Sequence, residues 1–349
     1  MSKIDLGGPA DRRSFLRYLV MLGVGGRALL RAGDAGSAVD AATDVPGASE
    51  GWPKMTYRKL GRTGFEASRL VFGCGAALRK GRKDALLNTA FDAGVNVFDV
   101  GFSAYYKDAE RNLAPFLKKV RGDIFLISKA MVTLGMKPDE TVTAERAKSA
   151  AATWLQMLDQ SLRELQVDRV DAYYLMASNN PSLIASEEIH TVFLKAKQAG
   201  KVNHLGLSTH QNAQRVLETA VRTGWYDLAM VAITPAGWYD WEEKSIQRDS
   251  APMAALQPVL ERARASGMGL IGMKAGRHLA GRRILGWERP GAFDEFYGEK
   301  LLASSLSAFQ RSYAFVLAHG LDAVNADMQS LAHLHENFVA AATSSKYFA

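Results

Sequence analysis

The sequence predicts a (β/α)8 barrel preceded by a β-hairpin and an N-terminal signal extension. Short runs rich in β-branched and aromatic residues alternate with longer segments whose apolar residues recur at helical spacing, which is typical of βα units. Eight such strands follow the hairpin, and a helix follows each strand. Repeated right-handed crossovers of that number close into a barrel more readily than they form an open sheet.

The clearest βα unit lies between residues 95 and 130. Asp99 ends its first strand, Lys129 ends its second, and the adjacent Tyr105 and Tyr106 lie in the connection. Parallel strands have their carboxyl ends at one rim, where barrels of this kind place their chemistry. We therefore expect an acid, an amine and a phenol to meet at that rim.

The remaining elements follow in order from a hairpin that turns at residues 61–64. The barrel strands are expected at residues 69–73, 95–98, 124–128, 170–175, 202–207, 228–233, 269–273 and 321–325. One helix is expected between the second and third strands, where apolar residues recur at positions 113, 116, 117 and 120. The others are expected at residues 83–93, 144–166, 189–199, 216–222, 253–266, 301–318 and 331–342. Gly94 and Gly200 stand where a helix stop is expected.

Two long loops follow strands and should overhang the rim, at residues 237–251 and 277–298. Loops of this length in a compact domain are often functional. Trp238, Tyr239 and Trp241 lie in the first loop and would give the cavity mouth an aromatic wall. Alternatively, these rings pack the loop onto the barrel.

The first residues have the composition of an export signal. Paired arginines at positions 12–13 precede a mainly apolar run at residues 18–26 and then a stretch of small residues, the order of a twin-arginine signal. This predicts a signal and linker at residues 1–53, a barrel at residues 54–349, and export to the periplasm by the twin-arginine machinery. A basic amphipathic helix, a disordered tail or an uncleaved anchor are the alternatives.

The composition of the chain argues against a nucleic-acid-binding protein, a disulfide-rich protein and a metalloprotein. The 349 residues are 48% hydrophobic, which is enough for a large core in one barrel domain. The net charge of +7 is spread among acidic residues on the expected helices, so we predict solvated helix faces rather than a nucleic-acid partner. With Cys74 as the single cysteine, no disulfide can form within the chain, and no metal site is predicted. Membrane contact is expected only through the signal segment.

Several separated stretches occur in an order shared with one known family. They are YRKLGRTG at residues 57–64, Asp99, the pair at 128–129, LDQSLRELQVDRVDAYYL at 158–175, GKVNHLGLS at 200–208 and the pair at 273–274. Together they resemble the aldo-keto reductases. The resemblance implies a (β/α)8 barrel that transfers hydride between a nicotinamide cofactor and a small carbonyl or alcohol substrate.

The resemblance also implies catalytic roles. A tyrosine would be the acid–base, Lys129 would tune it, and Asp99 would pair with the lysine. A phenol has an ordinary pKa of about 10, a nearby ammonium favours its ionised form, and a buried lysine needs a carboxylate. Tyr106 is favoured over Tyr105 because the residues after it match the family's helix start. A third possibility is that neither tyrosine is catalytic and both line the mouth.

The position after the fourth barrel strand departs from the family pattern. Met176 follows the fourth barrel strand, where the family usually has a histidine that hydrogen-bonds the substrate oxygen, and a thioether cannot donate that bond. Either another group serves, with His210 as a candidate, or the chemistry has moved away from plain carbonyl reduction. His210 could also be a surface or supporting histidine. Met176, His210 and Trp238 are therefore the candidate substrate contacts.

The positions that resemble cofactor contacts of the family are Ser208, Met273, Lys274, Gln329, Glu336 and Asn337. Ser208 would hold the carboxamide, Met273 stands where an aromatic ring often stacks on the nicotinamide, and Glu336 would contact the adenine with its neighbour Asn337. Gln329 stands where an arginine would bind a 2′-phosphate. The resemblance thus implies NADP, and Gln329 leaves NAD open.

Two other functions stay open at this stage, because fold does not fix function. One is a barrel that binds a nucleotide or another ligand without turnover, and the other is an isomerase or lyase built on the same site. Export adds a further expectation. Free nicotinamide nucleotides should be scarce outside the cytoplasm, so an exported enzyme of this type would hold its cofactor tightly.

Overall fold

The computed structural model describes residues 48–133, 135–280 and 289–348. Its strands are β1 (Tyr57–Lys59), β2 (Glu66–Ser68), β3 (Leu70–Gly73), β4 (Val97–Asp99), β5 (Phe125–Ala130), β6 (Val170–Leu175), β7 (Val202–Thr209), β8 (Leu228–Thr234), β9 (Gly237–Asp240), β10 (Ser245–Ile246), β11 (Gly269–Met273) and β12 (Ala323–Asp327). The expected export signal falls within residues 1–47, which lie outside the described residues.

Eight of these strands form a closed parallel barrel in the order β3, β4, β5, β6, β7, β8, β11 and β12. The ring closes where β12 pairs with β3, with Val324 opposite Leu70 and Ala326 opposite Phe72. Strands β1 and β2 form a separate antiparallel hairpin. The predicted (β/α)8 barrel with its N-terminal hairpin is therefore confirmed.

The helices surround the barrel. They are α1 (Cys74–Ala77), α2 (Asp84–Asp92), α3 (Ser103–Tyr106), α4 (Ala109–Val120), α5 (Ala144–Leu165), α6 (Pro181–Ile184), α7 (Glu187–Gln198), α8 (Ala213–Thr223), α9 (Gln257–Ala265), α10 (Glu299–Leu302), α11 (Ala308–Ala318) and α12 (Leu331–Thr343). Among the described helices, none combines the length and apolar character needed to cross a membrane.

The single helix expected at residues 301–318 was wrong. The chain forms two helices there, α10 and α11. Ser307 caps α11, because its hydroxyl accepts a hydrogen bond from the backbone of Gln310 while the Gln310 side chain bonds back to Ser307. Such a capping box satisfies two backbone N–H groups at a helix start. It therefore begins a new helix at a point where the apolar pattern of the sequence shows no sign of a break.

Alternation along the strands decides which side chains reach the barrel interior. In β5, Phe125 and Ile127 pack inside the barrel, whereas Leu126 packs against the outer helices. Because side chains alternate with a period of two, Lys129 shares the inward face at the carboxyl end of this strand. Asp99 has the equivalent position at the end of β4.

The hairpin covers the amino-terminal end of the barrel. Leu60 in its turn is fully buried and belongs to the interior cluster. A side chain at Gly61 would overlap the backbone of Gly269 at the start of β11, and Gly61 has a positive φ of 52°. Glycine therefore allows the turn to sit against the barrel floor.

The loop expected at residues 237–251 contains β9 and β10, so part of that expectation was wrong. The chain turns back at the carboxyl end of β8, where Ile233 pairs with Trp238 in antiparallel register. Strand β10 then pairs with β9. The resulting β9–β10 hairpin lies at the same end of the barrel as Asp99 and Lys129.

Candidate active site

The carboxyl ends of the barrel strands surround a cavity of about 340 Å³. Most of the side chains expected at the rim line it, which brings together residues far apart in the chain. These are Asp99, Tyr105, Tyr106, Lys129, Met176, Ser208, His210, Met273, Lys274 and Gln329. The described residues contain no cluster of three or more His, Cys, Asp or Glu side chains that could hold a metal ion.

Asp99 and Lys129 form a buried ion pair in the cavity wall. The Lys129 Nζ atom lies 2.5 Å from Asp99 Oδ1 and 2.7 Å from the Val100 carbonyl oxygen, to which it also donates. The second carboxylate oxygen of Asp99 accepts a 2.6 Å hydrogen bond from Asn325. Burial raises the pKa of Asp99, and the charge of Lys129 and the amide of Asn325 oppose that increase.

Two glycines admit the ring of Tyr106. A Cβ atom at Gly75 would lie 2.5 Å from Cδ1 of this ring, and one at Gly101 would lie 2.8 Å from Cε2. The Gly101 position is also 3.8 Å from Cβ of Lys129, so the Tyr106 ring lies beside the lysine stem. The phenol is therefore fixed by packing next to the ion pair.

The two tyrosines have different electrostatic surroundings. Burial raises the pKa of Tyr106 well above its usual value, and the carboxylate of Asp99 contributes to the increase. Burial raises the pKa of Tyr105 to about 12, but Asp99 has no part in that shift. Their rings meet edge to face, 4.5 Å between centroids. In the part of the chain that the structure describes, neither hydroxyl is hydrogen-bonded to Lys129.

Met176 and His210 occupy the cavity wall near the ion pair. The Met176 amide donates to the carbonyl of Ala130, which fixes the chain after β6, and its side chain is buried. Desolvation lowers the pKa of His210 to about 3, and the charges of Lys274, Lys244 and Lys129 add to this effect. His210 is therefore a neutral ring at physiological pH.

Ser208 lies at the end of β7, and its hydroxyl donates no hydrogen bond to the described residues. Its hydroxyl oxygen accepts a 3.2 Å hydrogen bond from the amide of Ala177, and its carbonyl accepts one from Ser178. The hydroxyl hydrogen is left for a ligand, since a serine hydroxyl can donate one bond while accepting others. This suits the predicted contact with a carboxamide.

Two lysines contact one indole at the rim. The Nζ atom of Lys244 lies 3.3 Å from the Trp241 ring centroid, and that of Lys274 lies 4.1 Å from it. Desolvation lowers the pKa of each lysine to about 8, with help from the charges of Lys274 and Arg277 on Lys244 and of Arg277 and Lys129 on Lys274. Cation–π contacts stabilise both ammonium groups but do not neutralise them.

Three expected site residues do not line the cavity. Trp238 packs into the cluster between barrel and helices, and Trp241 lines the cavity instead. Glu336 accepts a 2.6 Å hydrogen bond from Ser307, which ties it to the start of α11. Asn337 is buried on the same helix as Glu336.

Several lining residues were missed by the sequence argument, among them four with charged or amide side chains. Asn325 and Asp327 end the last barrel strand, so the rule that placed Asp99 and Lys129 at the rim could have found them. Arg79 and Arg277 lie in loops after the first and seventh barrel strands. No periodic pattern marks a loop residue. The loop expected over the rim at residues 277–298 begins with Arg277 but did not single it out, and the sequence carried no signal for Arg79.

Comparisons with known proteins agree with this architecture. A sequence profile of the aldo/keto reductase family matches residues 71–272, more than half of the chain. No curated protein matches the chain. A Pseudomonas aeruginosa protein aligns over 86% of this chain and 100% of its own with 21% identity and a TM-score of 0.60. An aldo-keto reductase from Klebsiella pneumoniae in complex with NADPH aligns over 82% and 89% with 18% identity and a TM-score of 0.58. The holo form of one from Bacillus halodurans aligns over 82% and 90% with 21% identity and a TM-score of 0.57.

Proposed function

The chain belongs to the aldo/keto reductase family, and from that premise we propose that it transfers hydride between a nicotinamide cofactor and a small carbonyl or alcohol substrate. The observation that supports this proposal is the buried pair of Lys129 and Asp99 beside the ring of Tyr106 on a cavity wall. A buried charge pair is costly, so its place at the catalytic end of a barrel favours a functional role.

In the proposed mechanism, Tyr106 holds the proton that is passed to the substrate oxygen. The phenol is protonated at neutral pH, and because burial raises its pKa, release of the proton would need a nearby positive charge such as Lys129 to stabilise the phenolate. An ammonium has three N–H donors, and Lys129 uses two of them on Asp99 and Val100. The third remains for the phenol or the substrate oxygen, where it would stabilise developing negative charge.

The residues of the cavity fit a nicotinamide dinucleotide. Ser208 has a free hydroxyl donor for a carboxamide, and Lys274 and Arg277 bring positive charge for phosphate groups. Among the described residues, the buried Nε atom of Arg277 has no hydrogen-bond partner, as expected of a group that binds a ligand. When bound, such a cofactor supplies or accepts the hydride. We propose NADP(H), and Gln329 in place of an arginine predicts a small preference over NAD(H), which titration of both reduced forms would measure.

Turnover tests the proposal directly. The protein is mixed with NADPH and a panel of aldehydes, sugars and quinones, and nicotinamide absorbance is followed. Oxidation of NADPH with formation of the alcohol supports the proposal. Binding of NADPH without oxidation would favour a non-catalytic barrel, the function that Met176 favours, because a thioether replaces a usual donor. An isomerised or cleaved product with NADPH unchanged would favour an isomerase or lyase.

We also propose that residues 1–53 direct export of the enzyme with its cofactor already bound. The support is the paired arginines followed by a short apolar run. Fusion of this segment to a reporter should give a periplasmic product that is lost when both arginines become lysine. Denatured protein from that compartment should release about one nucleotide per chain, and an empty site would contradict the proposal.

A further inference from the structure

The described cavity wall carries more positive than negative side chains, and two of the positive ones lack a carboxylate partner among the described residues. Of the described residues that line it, the cationic ones are Arg79, Lys129, Lys274 and Arg277, and the acidic ones are Asp99 and Asp327. Asp99 binds Lys129, and the charge of Lys274 stabilises ionised Asp327. This leaves two guanidinium groups unmatched, and the Nε atom of each is buried without a hydrogen-bond partner.

The two guanidinium groups act on different parts of the cavity. The backbone amide of Arg277 donates a 2.8 Å hydrogen bond to the carbonyl of Lys274, which places Arg277 by the lysines at the rim. Its charge adds to the desolvation that lowers the pKa of Lys274 and of Lys244. The charge of Arg79 instead opposes the increase that burial causes in the pKa of Tyr105 and of Tyr106. Arg79 comes just after α1, whose Gly75 meets the Tyr106 ring, and it lines the same cavity as both phenols, so it lies near them.

We infer that Arg79 binds a carboxylate of the substrate, so that the enzyme acts on small carbonyl compounds that carry a carboxylate group. The inference rests on the proposed function, because Tyr106 fixes where the substrate oxygen must lie. A cation near that phenol is within reach of another group on the same small molecule. The planar guanidinium matches a carboxylate with two parallel hydrogen bonds, which an ammonium cannot do.

The other charges around Arg79 support this assignment. Arg277 and Lys274 are placed together and suit the phosphates of the cofactor, which leaves Arg79 for the second anion. The negative charge of Asp327 contributes to the raised pKa of both tyrosines. A hydrogen bond from Gln329 and the charge of Lys274 stabilise this carboxylate in its ionised form. A substrate carboxylate would therefore be repelled from the side of Asp327 and attracted to that of Arg79.

A matched pair of aldehydes tests the inference. 4-Carboxybenzaldehyde and methyl 4-formylbenzoate have similar shape and aldehyde reactivity, but only the first carries a charge. We expect the wild-type protein with NADPH to have the higher kcat/KM for the charged aldehyde. In Arg79→Met the ratio of the two kcat/KM values should fall about 10- to 100-fold, the loss expected for hydrogen bonds to a charged group. Arg79→Lys should recover part of it.

Lys80→Met is the control, because Lys80 is the adjacent exposed cation and the change removes the same formal charge. This variant should keep the wild-type ratio. An equal decrease in kcat/KM for both aldehydes in Arg79→Met would overturn the inference, because Arg79 would then affect the tyrosines and not the substrate carboxylate. If the wild type turned over neither aldehyde, the proposed function would fail by itself. Calorimetry with benzoate would then decide the inference, which requires weaker binding in Arg79→Met than in Lys80→Met.

Discussion

Two charged regions of one cavity differ in how their charges are held. The first, the proton site, consists of Asp99, Lys129 and Tyr106 at the ends of β4 and β5. The ion pair is almost fully buried there, with each carboxylate oxygen of Asp99 hydrogen-bonded. The second, the rim cluster, consists of Trp241, Lys244 and Lys274, in which the two ammonium groups share an aromatic ring and repel each other.

This difference indicates which part of the cavity should be sensitive to mutation and which to pH and bound anions. In the proton site, opposite charges and fixed hydrogen bonds hold the groups in one geometry, so a change of partner is costly. In the rim cluster, desolvation and neighbouring cations outweigh the nearby carboxylates and bring both lysine pKa values to about 8, close to physiological pH. The proton site should thus respond strongly to mutation, and the rim cluster should respond to pH and bound anions.

The largest expected effect comes from removing the cation of the proton site. Lys129→Met should lower kcat about 10²- to 10⁴-fold, the usual contribution of a tuned acid–base group, while NADPH still binds. The variant should also lose about 3 to 5 kcal/mol of stability, because Asp99 remains buried without its partner. Steady-state kinetics, NADPH titration and chemical denaturation measure the three effects.

A double variant separates catalysis from folding in this experiment. Lys129→Met with Asp99→Asn removes both charges, so it should recover much of the stability while turnover stays low. Recovery of turnover together with stability would contradict a direct role for the lysine.

A smaller loss should follow from disturbing the packing around the phenol. In Gly75→Ala the new methyl group meets the Tyr106 ring, and we expect kcat to fall about tenfold with about 1 to 3 kcal/mol of destabilisation from overpacking. Gly81→Ala is the matched control, because the space around that glycine is open. Unchanged kinetics in Gly75→Ala would show that the position of the Tyr106 ring is not critical.

The smallest effect concerns the rim cluster. Because the folded-state pKa of Lys274 is about 8, below its usual 10.5, its charge is lost in the folded protein as pH rises from 7 to 9. NADPH affinity should therefore weaken several-fold over this range. The unfolded chain keeps the proton up to about pH 10, so the contribution of this lysine to stability rises above pH 8.

Fluorescence titration at several pH values, with Lys274→Met for comparison, measures the affinity change. The variant should bind NADPH more weakly at pH 7 and lose most of the pH dependence. The same slope in variant and wild type would assign the titration to another group.

The sequence predicted the barrel and much of the cavity wall for a physical reason. Every barrel strand has two buried faces and reads as a short apolar run, so a charged residue at its end, such as Asp99 or Lys129, marks the rim. Trp238 could not be separated from Trp241 in this way. The two tryptophans are close in sequence, and strand β9 decides which of them faces the cavity. This strand forms through its pairing with β8.

Loop residues mark the limit of this reasoning. Arg79 lies after α1, a four-residue helix that was not expected, and its place depends on how the chain turns after β3. The choice between Tyr105 and Tyr106 has the same origin, because both lie in the short helix α3. Sequence spacing is compatible with either tyrosine as the catalytic one. In the folded protein, only the ring of Tyr106 packs against Gly75 and Gly101, and this contact distinguishes the two.

The most direct test of the account compares Tyr106→Phe with Tyr105→Phe in single-turnover oxidation of NADPH by an aldehyde that the wild type reduces. The account predicts that the hydride-transfer rate falls about 10²- to 10⁴-fold in Tyr106→Phe and less than about tenfold in Tyr105→Phe. NADPH should bind both variants as it binds the wild type. A larger loss in Tyr105→Phe, or wild-type rates in Tyr106→Phe, would contradict the assignment of the proton to Tyr106.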